Sequence, residues 1–237
     1  MTQQSIHRHI YLIGPVYPAK NATQFTKLLN QRIKETKLDH IIYIDAAVQL
    51  LPQIQYINNS TLQFSVGDAD GEALDGDESY AHLLNELHPS SKSQSDLALA
   101  LKYLLEKEIK INDQGTGIFN IHAFGLWGER FDHQLANIGE FFNFLKDAPT
   151  HTRITLYSYQ EHALKKEALL TRGSHQDTYK GCFSIFQLEQ SPLSITGAVR
   201  YPLSHHKLEG LSSLGLSNEA FGEYSIEGDG PYMLIFP

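Results

Sequence analysis

The period of the hydrophobic pattern changes near residue 150, and this change restricts the chain to a small set of folds. Upstream of Pro149, strand-like runs alternate with helix-like apolar stripes, whereas downstream only short strand-like runs with Gly and Pro between them remain. Alternating strands and helices favour a mostly parallel sheet covered by helices. A series of short strands favours an antiparallel sandwich or barrel. We therefore predict an α/β domain with a mostly parallel sheet over residues 1–150 and an all-β sandwich domain over residues 151–237.

Apolar side chains that recur at helical spacing predict three helices in the first half. The first follows a cap at Asn21, the second follows a cap at Ser95, and the third starts at Asp132. The expected buried sides are Phe25, Leu28, Leu29 and Ile33; Leu97, Ala100, Leu101, Leu104 and Leu105; and Leu135, Ile138, Phe142 and Leu145. Strands are predicted at residues 9–14, 41–44, 62–66 and 118–121, and then at 154–157, 181–188, 193–196, 223–226 and 232–236.

The net charge and the single cysteine indicate which binding partners and which cellular compartment to expect. A formal charge of -8 and a pI near 5.8 argue against a nucleic-acid or anionic-membrane surface, because the average field repels both. The single Cys182 has no intramolecular disulfide partner, which fits a reducing compartment. The apolar run within residues 1–16 is too short for a signal core or a membrane span. We expect a cytoplasmic protein that binds neither nucleic acid nor membrane.

Five aspartates follow predicted strands or begin predicted helices: Asp45, Asp68, Asp70, Asp96 and Asp132. Open α/β sheets bind ligands at the carboxyl ends of their strands, so we expect these side chains to converge on one edge. Carboxylates this close raise one another's pKa by about 1 to 3 units unless a cation neutralises them. Mg²⁺ is usually held by one or two carboxylates plus substrate phosphates. The pattern therefore predicts Mg²⁺, a nucleotide and phosphoryl-type transfer.

Cationic groups near these acids are candidates for holding the phosphate oxygens, namely Lys92 and Arg130. His133, beside Asp132, is a candidate phosphate or base contact. Two alternatives stay open at this point. Residues 68–78 carry six acids and would also suit a solvated acidic loop, and an aspartate at a helix start also favours the helix dipole without any ligand.

The sequence lacks the motifs of several other kinds of catalytic or metal-binding site. No G-x-x-x-x-G-K-[ST] motif occurs, which disfavours a P-loop kinase, and no G-x-S-x-G motif occurs. Cys182 lies in an apolar run, where a buried inert thiol is expected. A calcium loop of the EF-hand type is disfavoured because Ala73 stands where that loop needs glycine.

Ordered sequence blocks, taken together, resemble the thiamine pyrophosphokinase family over about residues 41–236. The most specific block is residues 125–137, GLWGERFDHQLAN, which is similar to that family's G-x-x-G-G-R-x-D-H-x-L-x-N. The other blocks are Asp45-Ala46-Ala47, Gly67-Asp68-Ala69-Asp70-Gly71, Lys92-Ser93-Gln94-Ser95-Asp96, Gly197-Ala198-Val199-Arg200-Tyr201-Pro202-Leu203 and Ser217-Asn218-Glu219.

The resemblance implies a homodimer that transfers diphosphate from Mg-ATP to the hydroxyl of thiamine, with active sites in clefts between subunits. By matching position, it implies Asp68, Asp70 and Asp96 as magnesium ligands and Asp70, Asp96, Arg130 and Asp132 as catalytic residues. It implies ATP contacts at Asp45, Lys92, Ser95, Gly128 and His133. It implies thiamine contacts at Ser217 and Asn218.

Five positions depart from the family pattern: Ala46, Ala47, Gly71, Ser93 and Glu129. Ala46 and Ala47 replace glycines, which alone adopt positive φ angles freely. Glu129 adds negative charge next to the expected phosphate. These departures define the alternatives: a related diphosphotransferase that acts on another alcohol, such as a pterin, or a degenerate protein that binds thiamine or nucleotide without turnover.

Overall fold

The protein is seen in a computed structural model that describes residues 6–15, 22–58, 60–67, 84–87, 94–109, 117–128 and 130–237. The helical elements are α1 (Ala22–Glu35), a 3₁₀ helix (Asp45–Gln53), α2 (Asp96–Tyr103) with a π-helical extension (Leu104–Ile109), α3 (Phe131–Asp147) and a 3₁₀ turn (Ser213–Gly215). The strands are β1 (Ile6–Ile13), β2 (His40–Ile44), β3 (Leu62–Gly67), β4 (Leu84–Leu87), β5 (Gly117–Phe124), β6 (Thr152–Gln160), β7 (Ala163–Phe186), β8 (Ser191–Val199), β9 (Leu203–Leu208) and β10 (Asn218–Ile235).

These strands form one mixed sheet in the order β4-β3-β2-β1-β5-β6-β7-β10-β8-β9. The first six strands in that order pair in parallel, for example Ile44 with Val66 and Ile13 with Phe124. The predicted parallel arrangement therefore holds for this part, while the sheet as a whole is mixed.

Helices cover both faces of the parallel strands. Side chains of α1 and the 3₁₀ helix form a core on one face, where Phe25, Leu29 and Ile33 are buried as predicted. Side chains of α2 and α3 form the core on the opposite face. The Ser95 cap is confirmed, because its hydroxyl accepts a hydrogen bond from the Ala98 amide at 3.1 Å. Asn21, the other predicted cap, lies outside the described residues.

One residue on the predicted buried side of α3 is exposed. Leu135 was expected on the buried side of α3, but its side chain is 49% exposed, and Phe131 one turn earlier is 74% exposed. The buried residues of α3 are Phe141, Phe142, Phe144 and Leu145, all in its second half. The other predicted residues, Ile138, Phe142 and Leu145, pack into or against the core. Phe131 and Leu135, near the start of the helix, lie on the surface of the single chain.

The second half contains longer strands than the sequence pattern predicts. The residue pairs of β7 and β10 run in opposite senses, from Asn218 with Phe183 to Gly228 with Gly173, as in an antiparallel ladder. Met233 pairs with both Leu170 and Phe186, so the end of β10 lies between the two ends of β7. A third core, which includes Phe183, Tyr224 and Tyr232, fills this part. The prediction of a buried Cys182 is wrong, because this residue of β7 is exposed.

The domain boundary near residue 150 stays a prediction. Strand β6, which follows it, pairs in parallel with β5 and antiparallel with β7, so hydrogen bonds link the two halves into one sheet. Across the ranges given above, no helix combines the length and the apolar character needed to cross a membrane.

Candidate active site

The loops that follow β1 and β5 meet at the carboxyl edge of the parallel strands. The Gly14 amide donates a hydrogen bond to the Phe124 carbonyl at 2.7 Å. A Cβ atom on Gly14 would lie 2.4 Å from the Leu126 side chain and 2.6 Å from the Gly125 carbonyl oxygen, so the contact requires glycine. Strands β2 and β5 flank β1 on opposite sides, which makes this the point where the strand order reverses and where open sheets form a ligand crevice.

Asp45 lies at the same edge, at the end of β2, with its backbone in the left-handed region at φ 54°. Strands β2 and β3 pair through Ile44 and Val66, and a Cβ atom on Gly67 would lie 3.1 Å from the Asp45 Cα. The block that starts at Gly67 therefore leaves β3 directly beside Asp45. Its remaining members, among them Asp68, Asp70 and Gly71, lie outside the described residues.

Asp96 stands in the first turn of α2, which connects β4 to β5. Because both strands run parallel to β1 in the sheet, the start of that helix lies at the carboxyl edge of the strands. Ser95 uses its hydroxyl oxygen as the helix cap. Lys92 and Ser93 lie outside the described residues.

Arg130 and Asp132 form a bidentate ion pair just before and within the first turn of α3. The guanidinium donates from Nε to Asp132 Oδ1 at 3.0 Å and from a terminal nitrogen to Oδ2 at 2.6 Å. The hydrogen bonds from Arg130 hold the pKa of the Asp132 carboxyl well below its usual range, and Asp132 raises the pKa of Arg130. Both side chains and His133 are exposed, so an incoming anion has access to the guanidinium. Glu129 lies outside the described residues.

Asn137 shapes the loop between β5 and α3, a role that the sequence analysis did not assign. Its Nδ2 donates to the Leu126 carbonyl at 2.9 Å, and Gly125 at the loop start has φ 64°. Asn137 is the last residue of the family-like motif at residues 125–137, so the sequence did mark this position. Gly128, which is partly buried, lies in the same loop.

The predicted magnesium site remains a prediction. In the part of the chain that the structure describes, no group of three or more His, Cys, Asp or Glu side chains is arranged to hold a metal ion. Two of the three expected ligands, Asp68 and Asp70, lie outside that part. Asp45, Asp96 and Asp132 do lie at one edge of the sheet, and their carboxylate oxygens are donors that Mg²⁺ accepts.

A second concave site lies among the C-terminal strands. It is a pocket of about 520 Å³, and none of the side chains around it is charged. Its lining residues are Ile185, Ile195, Tyr201, Leu203, Ser213, Leu214, Gly215, Leu216, Ser217 and Asn218. Both residues expected to contact thiamine, Ser217 and Asn218, therefore lie on its wall.

Two glycines in this part of the chain allow close backbone contacts, and one of them, Gly215, lines the pocket. A Cβ atom on Gly215 would lie 2.0 Å from the Ile185 carbonyl oxygen, so any side chain would displace the 3₁₀ turn from β7. Gly197, which opens one of the family-like blocks, has φ 96°, and a Cβ atom there would lie 2.7 Å from the Glu223 carbonyl oxygen. Ser217 is also in the left-handed region, at φ 54°, and its amide donates to Ser184 Oγ at 3.1 Å.

Comparison with known proteins agrees with the fold and the motifs. The family model for the thiamin pyrophosphokinase catalytic domain matches residues 29–156, which is more than half of the chain. Among solved structures, thiamine pyrophosphokinase from Bacillus subtilis is 19% identical with a TM-score of 0.60, and covers 96% of this chain and 98% of its own. A thiamin pyrophosphokinase family protein from Enterococcus faecalis is 18% identical with a TM-score of 0.62, covering 96% and 97%.

The likeness extends to a eukaryotic structure. Thiamin pyrophosphokinase from Candida albicans is 15% identical with a TM-score of 0.59, and covers 97% of this chain and 90% of its own. At these identities the solved structures establish a shared fold. None of the curated proteins matches the sequence significantly. By the match of the catalytic-domain model over residues 29–156, this chain belongs to the thiamin pyrophosphokinase family.

Proposed function

We propose that this protein is a thiamine pyrophosphokinase that transfers diphosphate from Mg-ATP to the hydroxyl of thiamine, giving thiamine diphosphate and AMP. The carrying observation is a pair of close contacts at the carboxyl ends of the parallel strands, Gly67 against Asp45 and Gly14 against Gly125 and Leu126. That edge is where open α/β sheets bind nucleotides, and family membership supports the same reading.

In the proposed reaction the thiamine oxygen attacks the β-phosphorus of ATP, and the bond from that phosphorus to the oxygen it shares with the α-phosphate breaks. AMP leaves with that oxygen, and the hydroxyl proton departs, with the exposed His133 as its candidate acceptor. There is little covalent chemistry for the protein to perform. Its task is to align the two substrates and to stabilise charge on the phosphate oxygens.

Asp68, Asp70 and Asp96 are the residues we propose to hold magnesium, of which Asp96 is described, while Asp45 is a proposed ATP contact. Mg²⁺, when bound, supplies charge neutralisation for the phosphate chain. Arg130 supplies a fixed, forked set of donors that matches a phosphate group. Its present partner Asp132 orients that fork, because two hydrogen bonds hold the guanidinium plane. Lys92, Ser95 and Gly128 complete the proposed ATP contacts.

We propose that the apolar pocket of about 520 Å³ receives thiamine, with Ser217 and Asn218 on its wall. Of the nine large hydrophobic side chains that are exposed among the described residues, five lie between Tyr201 and Phe221, and three of these, Tyr201, Leu214 and Leu216, line this pocket. A second copy of the chain would cover such a surface, which supports a homodimer with its active sites between subunits. We also propose an α/β catalytic unit before residue 150, a β-sandwich after it, and a cytoplasmic location.

The direct test is an assay for AMP release by the purified protein with ATP, Mg²⁺ and thiamine. We expect turnover that depends on thiamine and stops when Mg²⁺ is chelated. Asp70→Asn is expected to lower turnover by about 10²-fold or more, judged from single electrostatic contacts at other active sites. Asp177→Asn, at a half-buried acid of β7 outside these motifs, is the matched control and should retain turnover.

Other results of these experiments would change the proposed function or the proposed metal site. AMP release with a pterin alcohol and none with thiamine would indicate a related diphosphotransferase. Thiamine or ATP binding by calorimetry with no AMP formed would indicate a degenerate binding protein. Near-normal AMP formation by the Asp70→Asn variant would remove Asp70 from the metal site.

A further inference from the structure

The side-chain amide of Asn218 binds backbone groups through both its oxygen and its nitrogen. Its Oδ1 accepts hydrogen bonds from the Tyr201 amide at 3.0 Å and from the Glu219 amide at 2.8 Å. Its Nδ2 donates to the Tyr201 carbonyl at 2.8 Å. Asn218 is 4% exposed, so these bonds are shielded from water. The side chain therefore holds both the amide and the carbonyl of Tyr201.

The surrounding contacts fasten the same two segments together. The Arg200 amide donates to the Glu219 carbonyl at 2.8 Å, and the Arg200 guanidinium contacts the Glu219 carboxylate at 2.7 Å. Residues 200 and 201 are thus joined to residues 218 and 219 by backbone, amide and ionic contacts. These are the two family-like blocks of the C-terminal half, which are far apart in sequence.

The side chain of Tyr201 is exposed, whereas that of Asn218 is buried. The backbone of Tyr201 is fixed, but its side chain is 57% exposed and lines the apolar pocket beside Leu203, Leu214 and Leu216. A phenol ring at the mouth of an uncharged pocket offers a flat π face to a ligand. Such a face binds other aromatic rings by stacking and binds cations through the ring quadrupole.

We infer that Asn218 is a positioning residue that fixes the Tyr201 backbone, and that the Tyr201 ring is the group that binds the flat rings of thiamine. The inference rests on the proposed function for the identity of the ligand. Thiamine carries a pyrimidine ring and a cationic thiazolium ring, and both are suited to an aromatic face. Asn218 then acts on thiamine only through Tyr201, while Ser217 keeps an exposed side chain at the pocket.

The test measures thiamine binding to the full-length protein by titration calorimetry, with and without an unreactive ATP analogue and Mg²⁺. We expect Tyr201→Ala to weaken binding by at least about fivefold, the low end for losing one stacked aromatic ring. Tyr201→Phe keeps the ring and should bind as the wild type does. Tyr56→Ala is the matched control, because Tyr56 is equally exposed, at 60%, and lies outside both proposed sites.

A double-mutant cycle separates positioning from direct contact. If Asn218 acts only through Tyr201, then Asn218→Ala weakens binding in the wild-type background but adds nothing in the Tyr201→Ala background. Additive losses would overturn the inference, since they would mean that Asn218 contacts thiamine itself. Should Asn218→Ala fail to fold, Asn218→Asp serves in the cycle, because its carboxylate still accepts from both amides but cannot donate to the Tyr201 carbonyl.

Hydrogen exchange gives a readout that needs no ligand. The Tyr201 amide should exchange faster in Asn218→Ala than in the wild type, and an unchanged rate would overturn the positioning role. A folded wild-type protein that binds no thiamine would overturn the proposed function and the assignment of the ring. Binding that is equal in Tyr201→Ala and wild type would overturn only the role of the ring.

Discussion

A Cβ atom placed on Gly67 would lie 3.1 Å from the Cα of Asp45 and 3.4 Å from its amide nitrogen. Gly67 ends β3 and Asp45 follows β2, so the two proposed ligand-bearing segments leave the sheet in direct contact. The backbone of Asp45 is also in the left-handed region, which for a residue with a side chain is uncommon. Such conformations cluster at functional sites, where the surrounding structure holds them.

Gly67→Val should impair the proposed reaction more than it impairs folding. The added side chain must push the Asp45 backbone away, and a misplacement of about 1 Å at a reacting centre lowers rates by about 10²-fold. We expect at least a tenfold loss of AMP release, with the protein still folded by circular dichroism. Gly139→Ala is the control, because nothing lies within 4 Å of the added Cβ. It should keep its activity and gain about 0.5 to 1 kcal/mol of stability. Equal activity in Gly67→Val and the wild type would mean that this contact is not part of the site.

The Arg130–Asp132 pair predicts a loss of function without a loss of stability. Both side chains are exposed, so breaking the pair should leave the thermal unfolding midpoint nearly unchanged. Arg130→Lys keeps the positive charge but cannot make the bidentate contact, and we expect it to raise the KM for ATP. Asp132→Asn should raise the same parameter, because the guanidinium loses one charged partner. Steady-state kinetics at varied ATP would check this. A large drop in the unfolding midpoint with an unaltered KM would contradict it.

Replacing Asn137 should weaken ATP binding indirectly, because Asn137 holds the loop from Gly125 to Gly128. Asn137→Ala removes the hydrogen bond to the Leu126 carbonyl, which should cost about 1 kcal/mol of stability. Because the loop from Gly125 to Gly128 is then less fixed, the KM for ATP should rise while the affinity for thiamine is unchanged. Urea unfolding and the two KM values test both parts. Asn143→Ala, an exposed amide on the same helix, is the matched control.

The first half of the fold could be predicted because its elements carry strong periods. Buried strands such as β2 are continuous apolar runs, and α1 has one clear apolar stripe. Strand β9 could not be predicted, because its residues 204–207 are all exposed and show no alternation. The early part of β7 was missed for the same reason, since Lys165 and Lys166 interrupt any period-two pattern.

The sequence predicted where the motifs of the candidate site lie along the chain, but not their backbone conformations or their contacts. Alanines at 46 and 47 depart from the family's glycines, yet the positive φ angle of that segment falls on Asp45. Ala47 is fully buried in the 3₁₀ helix, so that alanine suits the local backbone. The Tyr201–Asn218 contact could not be read from the sequence, because it joins residues 17 positions apart through backbone groups.

Acid should destabilise the protein through His122, a half-buried histidine of β5. His122 lies 3.2 Å from His9 and 3.2 Å from the Tyr157 hydroxyl, which accepts a hydrogen bond from Arg32 at 2.6 Å. Burial, with the neighbouring His9 and Arg32, lowers the pKa of His122 to about 3. The unfolded chain therefore takes up a proton near pH 6.5, whereas the folded chain resists it until about pH 3.

The contribution of His122 to the free energy of unfolding should thus be fully present above pH 6.5. Below that pH it should fall by about 1.4 kcal/mol per pH unit. Between pH 7.5 and pH 5 the contribution of His122 is a loss of about 2 kcal/mol. His122→Phe removes the titrating group, so its urea unfolding free energy should vary less with pH over that interval. His206→Gln, a change on the exposed edge strand β9, should keep the wild-type slope. If the wild type and His122→Phe showed the same slope, the proton uptake on unfolding would have to arise elsewhere, with the buried His175 as the next residue to vary.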